Sequence, residues 1–99
     1  MILIELNKLL KEIVNKVAAE NNVKLDKKLL AQVEFEISSE SARGDYATSC
    51  CLKLAKQFNK KPIEIAEVIV SNFNEKKIAD IKIEGPGFIN VFILSLIHI

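Results

Sequence analysis

The sequence predicts an α+β domain, with about three helices packed on one face of a small, mainly antiparallel sheet of about three strands. Three observations carry this. An amphipathic stripe opens the chain, two further helical stripes meet at Pro62, and two alternating apolar segments flank Gly85-Pro86-Gly87. The implied order is helix, strand, helix, helix, strand, strand, which repeats no βαβ unit and so argues against a parallel sheet.

The first helix is read from Leu3, Leu6, Leu10, Ile13 and Val17, which recur at spacings of three and four, with Leu9 and Val14 widening the stripe. Asn21-Asn22 is its stop. A short helix fits Asp26–Gln32. Val33, Phe35 and Ile37 then alternate with Glu34, Glu36 and Ser38 as a half-exposed strand, and Ser38–Gly44 has loop composition. Asp45 is expected to cap the next helix, whose buried stripe is Ala47, Cys51, Leu54, Ala55 and Phe58. Lys53, Lys56 and Lys60 line its other face. Pro62 opens a third helix at the position proline tolerates best, with Ile65, Ala66, Ile69 and Phe73 inward.

Ile81 and Ile83 begin the closing strand pair. After the Gly-Pro-Gly turn, Ile89, Val91 and Ile93 point one way, and Phe88, Asn90, Phe92 and Leu94 the other. An aromatic ring and an amide thus sit two apart on one strand face, beside a tight turn. A ring can stack on a splayed base and an amide can pair with a base edge. Taken alone, the plainer reading is that Phe88 is a core residue and Asn90 a polar strand end.

At 99 residues and 49% hydrophobic content the chain is one domain with a real core. Its formal charge of +1 excludes a strongly electrostatic nucleic-acid binder, but not one that touches RNA at one small place. Cys50 and Cys51 are the two cysteines, and no second Cys or His pair completes a zinc site. They read as small apolar residues in a reducing compartment. The opening Met1-Ile2-Leu3-Ile4 is soon broken by charges, so no signal peptide is read, and no apolar run has the length to span a bilayer.

Two motifs now stand in order: Gly44-Asp45-Tyr46-Ala47-Thr48, taken as opening a helix, and Gly85-Pro86-Gly87-Phe88-Ile89-Asn90. Between them lie Leu54-Ala55-Lys56 and Pro62-Ile63-Glu64-Ile65-Ala66. The ordered set resembles the N-terminal additional domain of arginyl-tRNA synthetase from about Leu3 to Asn90. That resemblance implies a module contacting the outer corner of tRNA at the D-loop, with Phe88 and Asn90 meeting a nucleotide there and Gly85 and Gly87 keeping the turn low. It also implies a cytoplasmic parent enzyme that uses ATP with magnesium in a separate catalytic domain, that domain and tRNA being the partners. No cofactor and no membrane contact are expected for this chain.

The sequence departs from the family pattern at Ser49, where an asparagine is usual, and in the run after Asn90. The domain is therefore expected over residues 1–94, with 95–99 a truncated or foreign tail. Lys53, Lys56 and Lys60 are candidate phosphate contacts, or simply a solvated helix face. Arg43-Gly44-Asp45 spells an adhesion tripeptide, but three-residue matches arise by chance. His98 is not read as catalytic, and no nucleophile–base pair, metal cluster or phosphate-cradling loop supports catalysis here. The competing reading is a freestanding structural or protein-interaction domain without RNA contact.

Overall fold

The computed structural model describes residues 2–38, 44–75 and 78–93. Four helices and four strands follow one another as α1 (Ile2–Glu20), α2 (Lys27–Ala31), β1 (Glu36–Ile37), β2 (Tyr46–Thr48), α3 (Cys50–Phe58), α4 (Pro62–Asn72), β3 (Ile78–Glu84) and β4 (Phe88–Ile93). The strands form one antiparallel sheet in the order β1-β2-β4-β3. The α+β class holds, with one strand and one short helix more than the approximate sequence count. None of the described helices is long and apolar enough to cross a membrane.

The helices form where the stripes placed them. Leu6, Leu10, Ile13, Val14, Val17 and Ala18 are the buried face of α1. The helix ends where Asn22 takes a left-handed φ of 55° and the Val23 N–H reaches back to the Ala18 carbonyl at 2.8 Å. Asp26 caps α2 by accepting from the Leu29 N–H at 2.6 Å. α3 stops at Asn59, also left-handed with φ 53°. α4 begins with Pro62, and the Lys61 N–H donates to Glu64 Oε1 at 3.1 Å.

Phe35 meets the Phe73 ring edge-on, with centroids 5.9 Å apart, and its own N–H donates to Asn7 Oδ1 at 2.6 Å. One continuous core joins α1, α3 and α4 to Ile89 and Val91, so the helices lie on a single sheet face.

Two sequence expectations need correction. Asp45 does not cap a helix, and Gly44–Thr48 does not open one. Tyr46–Thr48 is β2, paired with β4 from Tyr46 opposite Val91 to Thr48 opposite Ile89. Gly44, at φ 104°, lies so close to β4 that a Cβ would stand 2.8 Å from the Val91 carbonyl oxygen. Asp45 then grips β4 twice: its N–H donates to that same oxygen at 2.8 Å, and its Oδ2 accepts from the Ile93 N–H at 2.7 Å.

The helix starts at Cys50, whose N–H donates to Thr48 Oγ1 at 3.1 Å, while the Thr48 hydroxyl donates to the Glu34 carbonyl at 2.7 Å. Ala47 consequently belongs to β2, not to the α3 stripe, and faces away from the helices. The second correction concerns the strand read over Val33–Ser38. Only Glu36–Ile37 pairs, and Ile37 is 75% exposed, because β1 is the sheet edge and lies beyond the reach of the helices. Residues 94–99, the expected tail, lie outside the described residues, as does Arg43.

Candidate nucleic-acid interface

The β3–β4 hairpin builds the site by register. Gly85-Pro86-Gly87 joins strands in which Glu84 lies opposite Phe88, Lys82 opposite Asn90 and Asp80 opposite Phe92. On the other side of β4, Ala47 lies opposite Asn90, and Glu36 lies opposite Ala47. These residues share the face that the helices leave open.

The inward residues Ile89 and Val91 are wholly buried, whereas Phe88 is 37% exposed. Alternation therefore put Phe88 on the correct face, and it is not core. Asn90 shares that face but is only 6% exposed, held among its cross-strand neighbours. Its Nδ2 donates to Glu84 Oε1 at 3.2 Å. Beside it, the Lys82 ammonium lies 3.8 Å from Asp80 Oδ2 and 5.5 Å from the centre of the Phe92 ring. The face thus offers an accessible ring, an oriented amide and a mixed set of charges.

The two turn glycines differ. Gly85 has a φ of 59°, and a Cβ there would meet the Phe88 ring at an ordinary van der Waals distance of 3.7 Å. Gly87, at φ 140°, is pressed on the start of α4, where a Cβ would sit 2.8 Å from Pro62 Cβ. Its lack of a side chain is already demanded by the fold.

Lys53, Lys56 and Lys60 are all exposed on or just after α3, but they are not one site. Lys56 and Lys60 line a shallow groove of about 600 Å³ with Lys61, Leu52, Asn59 and Glu64 between α3 and α4. Lys53 does not line that groove.

The family described as Arginyl tRNA synthetase N terminal domain matches residues 5–93. The chain belongs to this family. It is 37% identical over 73 residues to the arginine–tRNA ligase of Hydrogenovibrio crunogenus, covering 73% of this chain and 12% of that protein. The arginine–tRNA ligase of Geobacillus thermodenitrificans is 42% identical over 65 residues, covering 64% and 12%. That of Thermotoga petrophila is 44% identical over 66 residues, again 64% and 12%. The crystal structure of arginyl-tRNA synthetase from Plasmodium falciparum shares the fold, with a TM-score of 0.70 at 19% identity over 93% of this chain and 16% of that one. The chain therefore spans about an eighth of the length of the curated relatives it matches.

In this arginyl-tRNA synthetase N-terminal domain, sequence reasoning missed Glu84 as a site residue. The signal was present: a hairpin closing over Gly85-Pro86-Gly87 sets Glu84 opposite Phe88 and diagonal to Asn90. It also missed Lys61, which closes the lysine groove. Cys50 and Cys51 are free thiols buried in the core, as their apolar reading expects. The Cys51 thiol is pushed up by its hydrogen bond with Cys50 and by burial. Hydrogen bonding from Cys51 lowers that of Cys50 against the opposing effect of burial.

Proposed function

We propose that this domain contacts tRNA at the D-loop, with Phe88 stacking on one unpaired base and Asn90 pairing with that base's edge. The observation that carries this reading is the contrast along β4. Phe88 stays 37% exposed on the open face, while Ile89 and Val91 on either side of Asn90 are wholly buried. An exposed ring beside a side-chain amide is the arrangement that single-stranded RNA readers use, and loss of such a stack costs about 1–3 kcal/mol per base. An amide suits the adenine edge, which offers one donor and one acceptor.

Lys56 and Lys60, in the groove with Lys61, are secondary phosphate contacts, and Lys53 contributes at most at long range. With a net charge of +1 these contacts are few, so affinity falls only gently with salt. The parent protein attaches arginine to its tRNA with ATP and magnesium in the cytoplasm. Those steps belong to the catalytic domain, the in-chain partner of this one. The 99-residue chain alone is expected to give neither arginyl-tRNA nor arginine-dependent pyrophosphate exchange. Titration of tRNA and of a plain RNA duplex against the chain tests the reading. Preference for tRNA that is lost in Phe88→Ala supports it, and equal binding of both RNAs by the unaltered chain refutes it.

A further inference from the structure

We propose that the apolar edge carrying Ile4 and Ile37 is the surface on which this domain packs against the body of its parent synthetase, the catalytic domain that follows it in the chain. The inference rests on the reading that such a domain follows, and adds the surface that meets it.

Ile37 lies opposite Tyr46, and Tyr46 opposite Val91, so all three point to the helix side of the sheet. Exposure climbs along this row: Val91 is wholly buried, Tyr46 half-buried and Ile37 75% exposed. The cover supplied by the helices runs out toward β1.

Helix α1 follows the same seam. Its Lys11 ammonium lies 3.9 Å from Glu34 Oε2, and its Asn7 Oδ1 accepts from the Phe35 N–H at 2.6 Å. Ile4 shares that helix face, one turn nearer the start, while Ile37 comes two residues after Phe35. The seam therefore ends in two isoleucines, and Ile4 is 67% exposed. Every other large apolar side chain among the described residues is at most 42% exposed. A single exposed isoleucine is ordinary on a protein surface; two at one end of one seam mark an interaction surface.

The same end is where the chain leaves the domain. The Ser38 N–H donates to the Asp45 carbonyl at 3.0 Å, and Asp45 Oδ2 accepts from the Ile93 N–H at 2.7 Å. Asp45 thus ties the residue after Ile37 to the last residue of β4. In the sheet order β1 and β4 are two strands apart, about 10 Å. The matching family is by its description an N-terminal domain, and the match covers 12% of each curated relative, so in those proteins a far larger body adjoins it. A body that begins at the end of β4 reaches Ile37 and Ile4 without a linker crossing the domain. Phe88 and Phe92 lie on the other side of the sheet, so docking here leaves the open face of β4 free.

The test places residues 1–93 in the arginine–tRNA ligase of Geobacillus thermodenitrificans, in exchange for the matching domain. Ile37→Cys is made in this fusion and in the 99-residue chain. Its reaction with a maleimide is followed by mass spectrometry of the tryptic peptide that carries it, which does not contain the buried Cys50 and Cys51. Glu67→Cys, on the exposed side of α4, is the control. Labelling at position 37 is expected to be about tenfold slower in the fusion, and labelling at position 67 to stay within about twofold. Ile4→Cys should be slowed together with Ile37→Cys.

Equal labelling at position 37 in the two proteins overturns the proposal. Arginylation of tRNA by the fusion separates the causes. An active fusion with position 37 open refutes the docking surface alone, whereas an inactive fusion with it open counts against the synthetase reading as well. Slow labelling already in the 99-residue chain means another occupant and also overturns the proposal. A chain ending at residue 93 and the mass in solution then tell residues 94–99 from a second copy.

Discussion

The two faces of β4 carry residues of similar apolar character under opposite constraints. Ile89 and Val91 face the helices and are wholly buried, while Phe88 and Phe92 face the open side with part of each ring accessible. Asn90 is the exception on that side, nearly buried and hydrogen-bonded through its Nδ2 to Glu84. A fold needs the first face, because burying an isoleucine contributes about 1.5–3 kcal/mol. It has no comparable need of the second, where an exposed ring and an oriented amide stabilise little. Residues that the fold does not require are the ones free to serve a ligand.

The comparison can be broken first at its structural end. Ile89→Ala should destabilise the chain by about 2–5 kcal/mol in urea unfolding. A loss near that expected of an exposed site would erase the contrast between the faces. Next, Gly44→Ala forces a Cβ to 2.8 Å from the Val91 carbonyl oxygen at a φ of 104°. A cost of about 1–3 kcal/mol is expected. A neutral result would mean that β2 does not lie so close to β4.

Asp45→Ala removes the acceptor of the Ile93 N–H and should cost about 1 kcal/mol, reduced by its exposure. If Asp45 were the helix cap read from sequence, the amide-exchange loss would localise at α3. Loss of the strand contact exposes the Ile93 amide instead. Smallest of all, alkylation of Cys50 and Cys51 by iodoacetamide should be slow and should track global unfolding, since both thiols are buried. Rapid labelling of the folded chain would place α3 outside the core.

How much of this was legible follows from where the information lies. α1 was readable because its stripe is local and long, and the left-handed Asn22 was readable as its stop because asparagine tolerates that conformation. The hairpin was readable from its turn and its alternation. β2 was not. Asp45 and Thr48 are as good at helix ends as in a strand, and only the contacts of Asp45 with Val91 and Ile93 and of Thr48 with Ile89, more than forty residues on, decide between the two. Ile37 fits a buried alternation, and only its place on the edge strand exposes it. In the candidate site, the direction of Phe88 was legible from period two. The near burial of Asn90 and its bond to Glu84 required the pairing register.

The measurement that bears most directly on the account is tRNA affinity and unfolding free energy for Phe88→Ala beside Ile89→Ala. Phe88→Ala should weaken tRNA binding by about 1–3 kcal/mol, leave binding to a plain duplex unchanged, and cost less than about 1 kcal/mol of stability. Ile89→Ala should show the large stability loss. If Phe88→Ala instead destabilises the chain as much as Ile89→Ala and leaves tRNA affinity intact, the open face of β4 is not an RNA-reading surface.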